Sequence, residues 1–226
     1  MKERPILFSG PMVCPILDGR KTQTRRIAKP EEFGASEWSQ LPADMGESFR
    51  RFARPRHPRF GEAGDRLWVR ETWRYDDWTE DGQPWIRYAA DNTRRLCEHV
   101  TPEWSNRVRD AWAELSSSEN FAIDGKAADR KWRPSIFLPR WASRIALKVT
   151  SVRVERLQSI SELGALAEGV DGKSVTSMLN GVRGEYIVGS ARDVYAALWD
   201  DINGDRAAWD SNPWVWAIEF RKEPSS

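Results

Sequence analysis

Between Gly19 and Arg26 the chain reads GRKTQTRR, and within it Lys21 and Thr24 are the residue types of a base and a nucleophile. A threonine hydroxyl is a weak nucleophile near neutral pH and needs a base beside it, and a lysine amine can be that base only once its pKa has been lowered. Arg20, Arg25 and Arg26 flank Lys21, and like charge and partial desolvation both lower an ammonium pKa. One turn of chain is enough to bring amine and hydroxyl together. A third group lies in GDRLWVRETW, Gly64 to Trp73. As a strand, this segment puts Leu67, Val69, Glu71 and Trp73 on one face and Arg66, Trp68, Arg70 and Thr72 on the other. A carboxyl in line with an apolar face has a raised pKa and can hold a proton to donate. Lysine base, threonine nucleophile and glutamic acid together make a set able to cleave an amide. The same residues fit a solvated or phosphate-holding basic turn, with Glu71 as the ion-pair partner of an arginine. Spacing therefore nominates a site without selecting a reaction.

These residues need elements to position them. Pro5 to Ser9 reads as a short strand, followed by a helix with Gly10 as cap, Pro11 at its first position, and Met12, Val13, Ile16 and Leu17 on one face. Gly19 ends it, and Pro15 keeps it short or bent. Thr22 to Ile27 then runs extended. Trp85 to Asp91 is a further strand, and Thr101 opens an amphipathic helix bearing Trp104, Val108, Trp112 and Leu115. Residues 116–131 read as a polar loop, and a long strand spans Ile145 to about Glu155. Ser159 with Glu162 has the capping-box spacing for a helix ending at Gly169. Ser190 and Asp193 cap another helix, whose buried face is Val194, Tyr195, Leu198, Trp199 and Ile202. The final strand, WVWAIEF, puts Trp214, Trp216, Ile218 and Phe220 on one side. Segments 28–63, 92–131 and 171–190 read as insertions, the first a long excursion with little regular structure and the last a mobile loop. Strands mixed with non-alternating helices point to an α+β fold, a small barrel in one domain spanning 1–226.

A chain of 226 residues is long enough to bury a core without a metal or disulfide staple. Its two cysteines, Cys14 and Cys97, and two histidines, His57 and His99, lack the paired spacings of zinc sites, so neither metal nor organic cofactor is expected. With no leader and no apolar run of about 20 residues, a cytoplasmic protein without membrane attachment is expected. The net charge of +1 hides an asymmetry, with 15 Lys and Arg against 10 Asp and Glu in residues 1–74, and 20 against 24 in the remainder. Arg50, Arg51, Arg54, Arg56 and Arg59 add to the basic first third. Such a patch suits phosphate-bearing ligands, while near-neutrality overall argues against unselective coating of nucleic acid. The thirteen tryptophans can anchor a core or stack on bases.

GRKTQTRR, placed after a short strand and helix, resembles the G-x-K-x-x-T-x-R signature of ASCH domains, members of the PUA-like β-barrel superfamily associated with RNA. GDRLWVRETW resembles the strand that carries that family's acidic residue. PSIFLPRWASRI, LQSISELGALAEGV and NPWVWAIEF resemble its later blocks, particularly in long members borne by phages and prophages. The likeness covers Lys2 to Asp91 discontinuously and Trp132 to Phe220.

The resemblance implies a PUA-like small barrel with flanking helices and large insertions. In the enzymatic branch, small bacterial amidohydrolases remove the acetyl group of N4-acetylcytidine. By motif position, Lys21 is then the proton acceptor, Thr24 the nucleophile that becomes acylated, and Glu71 the proton donor to the departing amine. Arg20, Arg25, Arg26, Arg70, Trp73 and Tyr88 are the candidate substrate-binding residues. The partner implied is a modified cytosine nucleoside or a nucleic acid, RNA before DNA. Other ASCH proteins are RNA-binding modules or ribonucleases, so a non-catalytic RNA- or DNA-binding module and a ribonuclease stand as alternatives. The scarcity of histidine weakens the last.

Overall fold

Short apolar runs punctuated by Gly and Pro become the strands of an α+β chain. The computed structural model describes residues 1–29, 59–79, 83–97, 122–123, 126–127, 132–170 and 189–224. In chain order the elements are β1 (Glu3–Leu7), α1 (Gly10–Leu17), β2 (Gln23–Ile27), β3 (Arg66–Arg70), β4 (Trp73–Trp78), β5 (Pro84–Tyr88), β6 (Arg94–Leu96), the two-residue strands β7 (Ala122–Ile123) and β8 (Lys126–Ala127), β9 (Ala146–Arg156), α2 (Glu162–Ala167), α3 (Ala191–Ala207) and β10 (Trp214–Lys222). They pack as two compact units, one of Met1–Arg4, Pro15–Leu67 and Ile145–Ser226, the other of Pro5–Cys14 and Trp68–Arg144. Among the described residues, no helix is long and apolar enough to cross a membrane.

A five-stranded sheet is ordered β1-β3-β9-β10-β2, and β2, β9 and β10 lie wholly in the first unit. β10 runs antiparallel to β9, from Trp214 opposite Arg156 to Lys222 opposite Leu147, and antiparallel to β2, from Val215 opposite Ile27 to Glu219 opposite Gln23. One-sided alternation was expected of this strand. Instead Val215 and Ala217 are as buried as Trp214, Trp216 and Ile218, because an interior strand covered on both faces reads as a continuous apolar run. The register shifts between Glu219 and Phe220.

Both capped helices belong to this unit. Ser190 and Asp193 make the expected capping box at α3. At α2 the expected cap, Ser159, is taken up in the 3₁₀ turn Leu157–Ser159. Ser161 caps the helix instead, its hydroxyl accepting from the Gly164 amide at 3.1 Å. Glu162 turns away from α2 to accept from the Ala191 and Arg192 amides that open α3. On α3, Val194, Tyr195, Leu198 and Trp199 are buried, but Ile202 is 44% exposed. The Trp199 indole runs along the helix to donate to the Ala207 carbonyl at 2.7 Å.

The second unit holds the antiparallel sheet β4-β5-β6. Its core is Trp73, Tyr75, Ile86, Tyr88, Cys97, Leu138 and Ala142. Two 3₁₀ turns, Ser135–Phe137 and Arg140–Ala142, each follow a proline that presets an extended entry. The first helix, α1, begins at Gly10, with the Ser9 carbonyl accepting from the Met12 and Val13 amides, so Ser9 stands where Gly10 was expected as cap. The β7–β8 pair lies where a polar loop was expected. Most of the expected insertions, the helix expected from Thr101, and Arg50, Arg51, Arg54 and Arg56 lie outside the described residues.

Candidate functional site

In the first unit the GRKTQTRR segment is fixed by its backbone before any side chain acts. Gly19 turns the chain out of α1 at φ +76°, a conformation that glycine adopts without Cβ strain. The Lys21 amide then donates to the Pro15 carbonyl, the Thr22 amide to Ala167, and the Phe220 amide to Thr22, each at 2.9 Å. Lys21 is thereby turned inward and is 3% exposed. Its Nζ donates to two oxygens of one residue, the Glu168 carbonyl at 2.6 Å and Glu168 Oε2 at 2.8 Å. Gly169, at φ +88°, makes the approach possible, since a Cβ there would lie 2.8 Å from Pro15 Cβ and 2.9 Å from Lys21 Cβ.

Glu168, 2% exposed, gathers cations. Its Oε1 accepts from Arg25 Nη1 at 3.0 Å, and the Tyr195 phenol lies within electrostatic reach of its carboxylate. Arg25 in turn donates from Nε and Nη2 to Glu155 Oε1 at 2.9 and 2.6 Å, and from Nη1 to Gln23 Oε1 at 2.8 Å. Arg153 bonds both Glu155 and Glu219, and Gln23 reaches Glu219 at 3.0 Å. The strand pairing explains this continuity, because Gln23 and Arg25 of β2, Glu219 of β10, and Arg153 and Glu155 of β9 occupy neighbouring rungs.

Burial pushes the Lys21 amine below the ordinary ammonium range. The Glu168 charge and hydrogen bond pull the other way, while Arg26 and Arg25 add to the lowering. Burial lifts the Tyr195 phenol well above its usual value, and Glu168 adds to this. Thr24 is 4% exposed, on β2 opposite Ile218. Arg26, next along β2, lies within electrostatic reach of the Glu168 carboxylate and of Tyr195. Arg20 lies outside the buried cluster, exposed and paired with Asp18 at 3.1 Å.

In the second unit the apolar alternation of β3 continues past its end to Glu71, which is 1% exposed. Arg144 holds it with two parallel bonds, Nε to Oε1 and Nη2 to Oε2, both 2.8 Å. The same guanidinium donates to Asp91 at 2.8 and 3.1 Å and to the Thr93 hydroxyl at 2.6 Å, and its carbon lies 4.0 Å from the centre of the Tyr88 ring. Burial raises the Glu71 pKa, Arg144 opposes that rise, and Asp91 adds to it. Trp73 and Tyr88 are core residues, and the Tyr88 hydroxyl donates to the Ala142 carbonyl at 2.6 Å. Arg70 donates to the Leu138 carbonyl at 3.0 Å and lies over the Trp68 ring.

Lys21, Arg25 and Arg26 thus meet around one carboxylate in the first unit, while Glu71, Tyr88 and Trp73 belong to the second. Sequence reasoning missed Glu168, Glu155, Arg144 and Asp91. A signal for Glu168 exists, because an acidic residue at the C-terminal end of a helix opposes the helix dipole and calls for a cationic partner elsewhere. Arg144 gave a weaker signal, a lone arginine between the buried Ser143 and Ile145. Among the described residues, no group of three or more His, Cys, Asp or Glu is placed to hold a metal ion. Compared with models of known protein families, with curated proteins and with solved structures, the chain matches none.

Proposed function

We propose that the chain is an amidohydrolase of ASCH type, built on a PUA-like barrel, that removes an acyl group from the N4 amine of a modified cytosine nucleoside. Lys21 takes the proton of the Thr24 hydroxyl as its oxygen bonds the acyl carbon. The C–N4 bond then breaks, Glu71 protonates the departing amine, and water cleaves the Thr24 ester to release the carboxylic acid. The observation that carries this reading is the buried Lys21 amine with its lowered pKa, the condition a lysine must meet to act as a base. The buried Glu71 carboxyl with its raised pKa supports the donor role. Incubation of the full chain with N4-acetylcytidine, followed by chromatography, is expected to yield cytidine and acetate. No cytidine from a folded protein overturns the reading.

One observation favours a second reading, a non-catalytic RNA- or DNA-binding module. In the second unit Trp132 and Phe137 are exposed, and Arg74 lies 4.6 Å from the centre of the Trp132 ring, a pairing suited to stacking a base beside a phosphate. Tryptophan fluorescence titrated with a single-stranded oligonucleotide over a salt series tests it. Binding that weakens steeply with salt and persists in Thr24→Val, without N4-acetylcytidine turnover, favours this second reading.

A further inference from the structure

We propose that Glu168 is the positioning residue of the base, holding the Lys21 amine in the orientation in which it takes the proton. This role rests on the reading of Lys21 as proton acceptor.

A neutral amine has two N–H donors and one lone pair. Lys21 Nζ makes two donor contacts to Glu168, one to its carbonyl at 2.6 Å and one to Oε2 at 2.8 Å. These two bonds fix the amine against the last turn of α2. Each acceptor is itself fixed. The carbonyl belongs to the closing turn of α2, where the Glu168 amide bonds Gly164 at 3.1 Å and Ala165 at 3.0 Å. The carboxylate is held on its other oxygen by Arg25 at 3.0 Å.

Among the described residues, Glu168 at the end of α2 and Arg25 and Arg26 of β2 act on the Lys21 charge, while Glu155 of β9 faces Arg25. The guanidiniums disfavour an ammonium at Nζ, and Glu168 is the counterweight that favours it. When the Thr24 O–H bond breaks and the new N–H bond forms, positive charge develops on Nζ between a carbonyl and a carboxylate already in place. A preset dipole and charge stabilise that step without having to reorganise.

Two variants of the full chain, Glu168→Gln and Glu168→Asp, test the role through the pH profile of kcat/KM with N4-acetylcytidine and through the NMR titration of Lys21 Nζ in lysine-labelled protein. Glu168→Gln removes the charge that favours the ammonium. Its Lys21 titration and the acid limb of the profile are expected to move to lower pH by about one unit or more. Its kcat is expected to fall about ten- to hundredfold with KM nearly unchanged. Glu168→Asp keeps the charge but withdraws the oxygen, so the limb should stay in place while kcat falls. An unmoved Lys21 titration in folded Glu168→Gln overturns the proposal. If that variant does not fold, wild-type kcat in Glu168→Asp overturns it equally. If the wild type leaves N4-acetylcytidine intact, the amidohydrolase reading fails on its own, and the Lys21 titration still decides whether Glu168 governs the amine.

Discussion

Glu71 and Arg144 meet in a bidentate ion pair, two parallel bonds of 2.8 Å between a carboxylate that is 1% exposed and a guanidinium held on its far side by Asp91 and Thr93. The pair restrains the protonation of Glu71, because burial and Asp91 push that carboxyl upward and, among the described residues, Arg144 holds it down.

Arg144→Gln is therefore expected to raise the Glu71 pKa further, read by carboxyl-carbon NMR titration. The linkage follows in sign. A carboxyl whose folded pKa lies above its unfolded value contributes stability in acid and loses it as pH rises through the folded value. In Arg144→Gln that loss moves to higher pH, which urea unfolding across a pH series measures. A Glu71 titration that stays in place shows that Arg144 does not control it.

Catalysis by the proposed set requires each member. Lys21→Ala, Thr24→Ala and Glu71→Gln are each expected to lower N4-acetylcytidine turnover by about a hundredfold or more, with circular dichroism showing a retained fold. Hydrolysis near the wild-type rate in Thr24→Ala removes threonine from the mechanism.

The rate should follow a bell in pH, falling on the acid side as Lys21 becomes an ammonium and on the alkaline side as Glu71 loses its proton. Arg25 contributes positive charge that lowers Lys21, so Arg25→Gln should carry the acid limb to higher pH, opposite to the shift expected of Glu168→Gln. Because Arg25 is also paired with Glu155 and Glu168, this variant should lose about 3–5 kcal/mol of stability, and its profile should be taken well below the unfolding temperature.

Much of the frame was legible because local rules and tertiary packing agree there. The turn at Gly19, the alternation that buries Glu71, and the Ser190–Asp193 capping box all follow from a few neighbouring residues. What stayed hidden depends on partners distant in sequence. Glu168 lies 147 residues from Lys21, and Arg144 lies 73 from Glu71. No local pattern encodes which carboxylate meets which cation, since that follows from how elements distant in sequence pack together. The cap at Ser161 was missed for a nearer reason, the 3₁₀ turn that consumes Ser159.

Gly169 offers a test that needs no substrate. Gly169→Ala places a Cβ at φ +88° and within 2.9 Å of both Pro15 and Lys21 side-chain carbons, so it should cost on the order of 1–3 kcal/mol in urea unfolding. Because the added carbon presses on Lys21 itself, the Lys21 Nζ titration should shift as well. Unchanged stability and titration would show that the close approach is not maintained in solution.

The Glu162 carboxylate leaves its own helix to bond the amides of Ala191 and Arg192, so α2 supplies acceptors for two of the amide groups that the first turn of α3 cannot satisfy internally. A negative charge beside those amides also complements the dipole of α3. A disturbance at the start of α3 is thereby transmitted along α2 to the turn that holds Lys21.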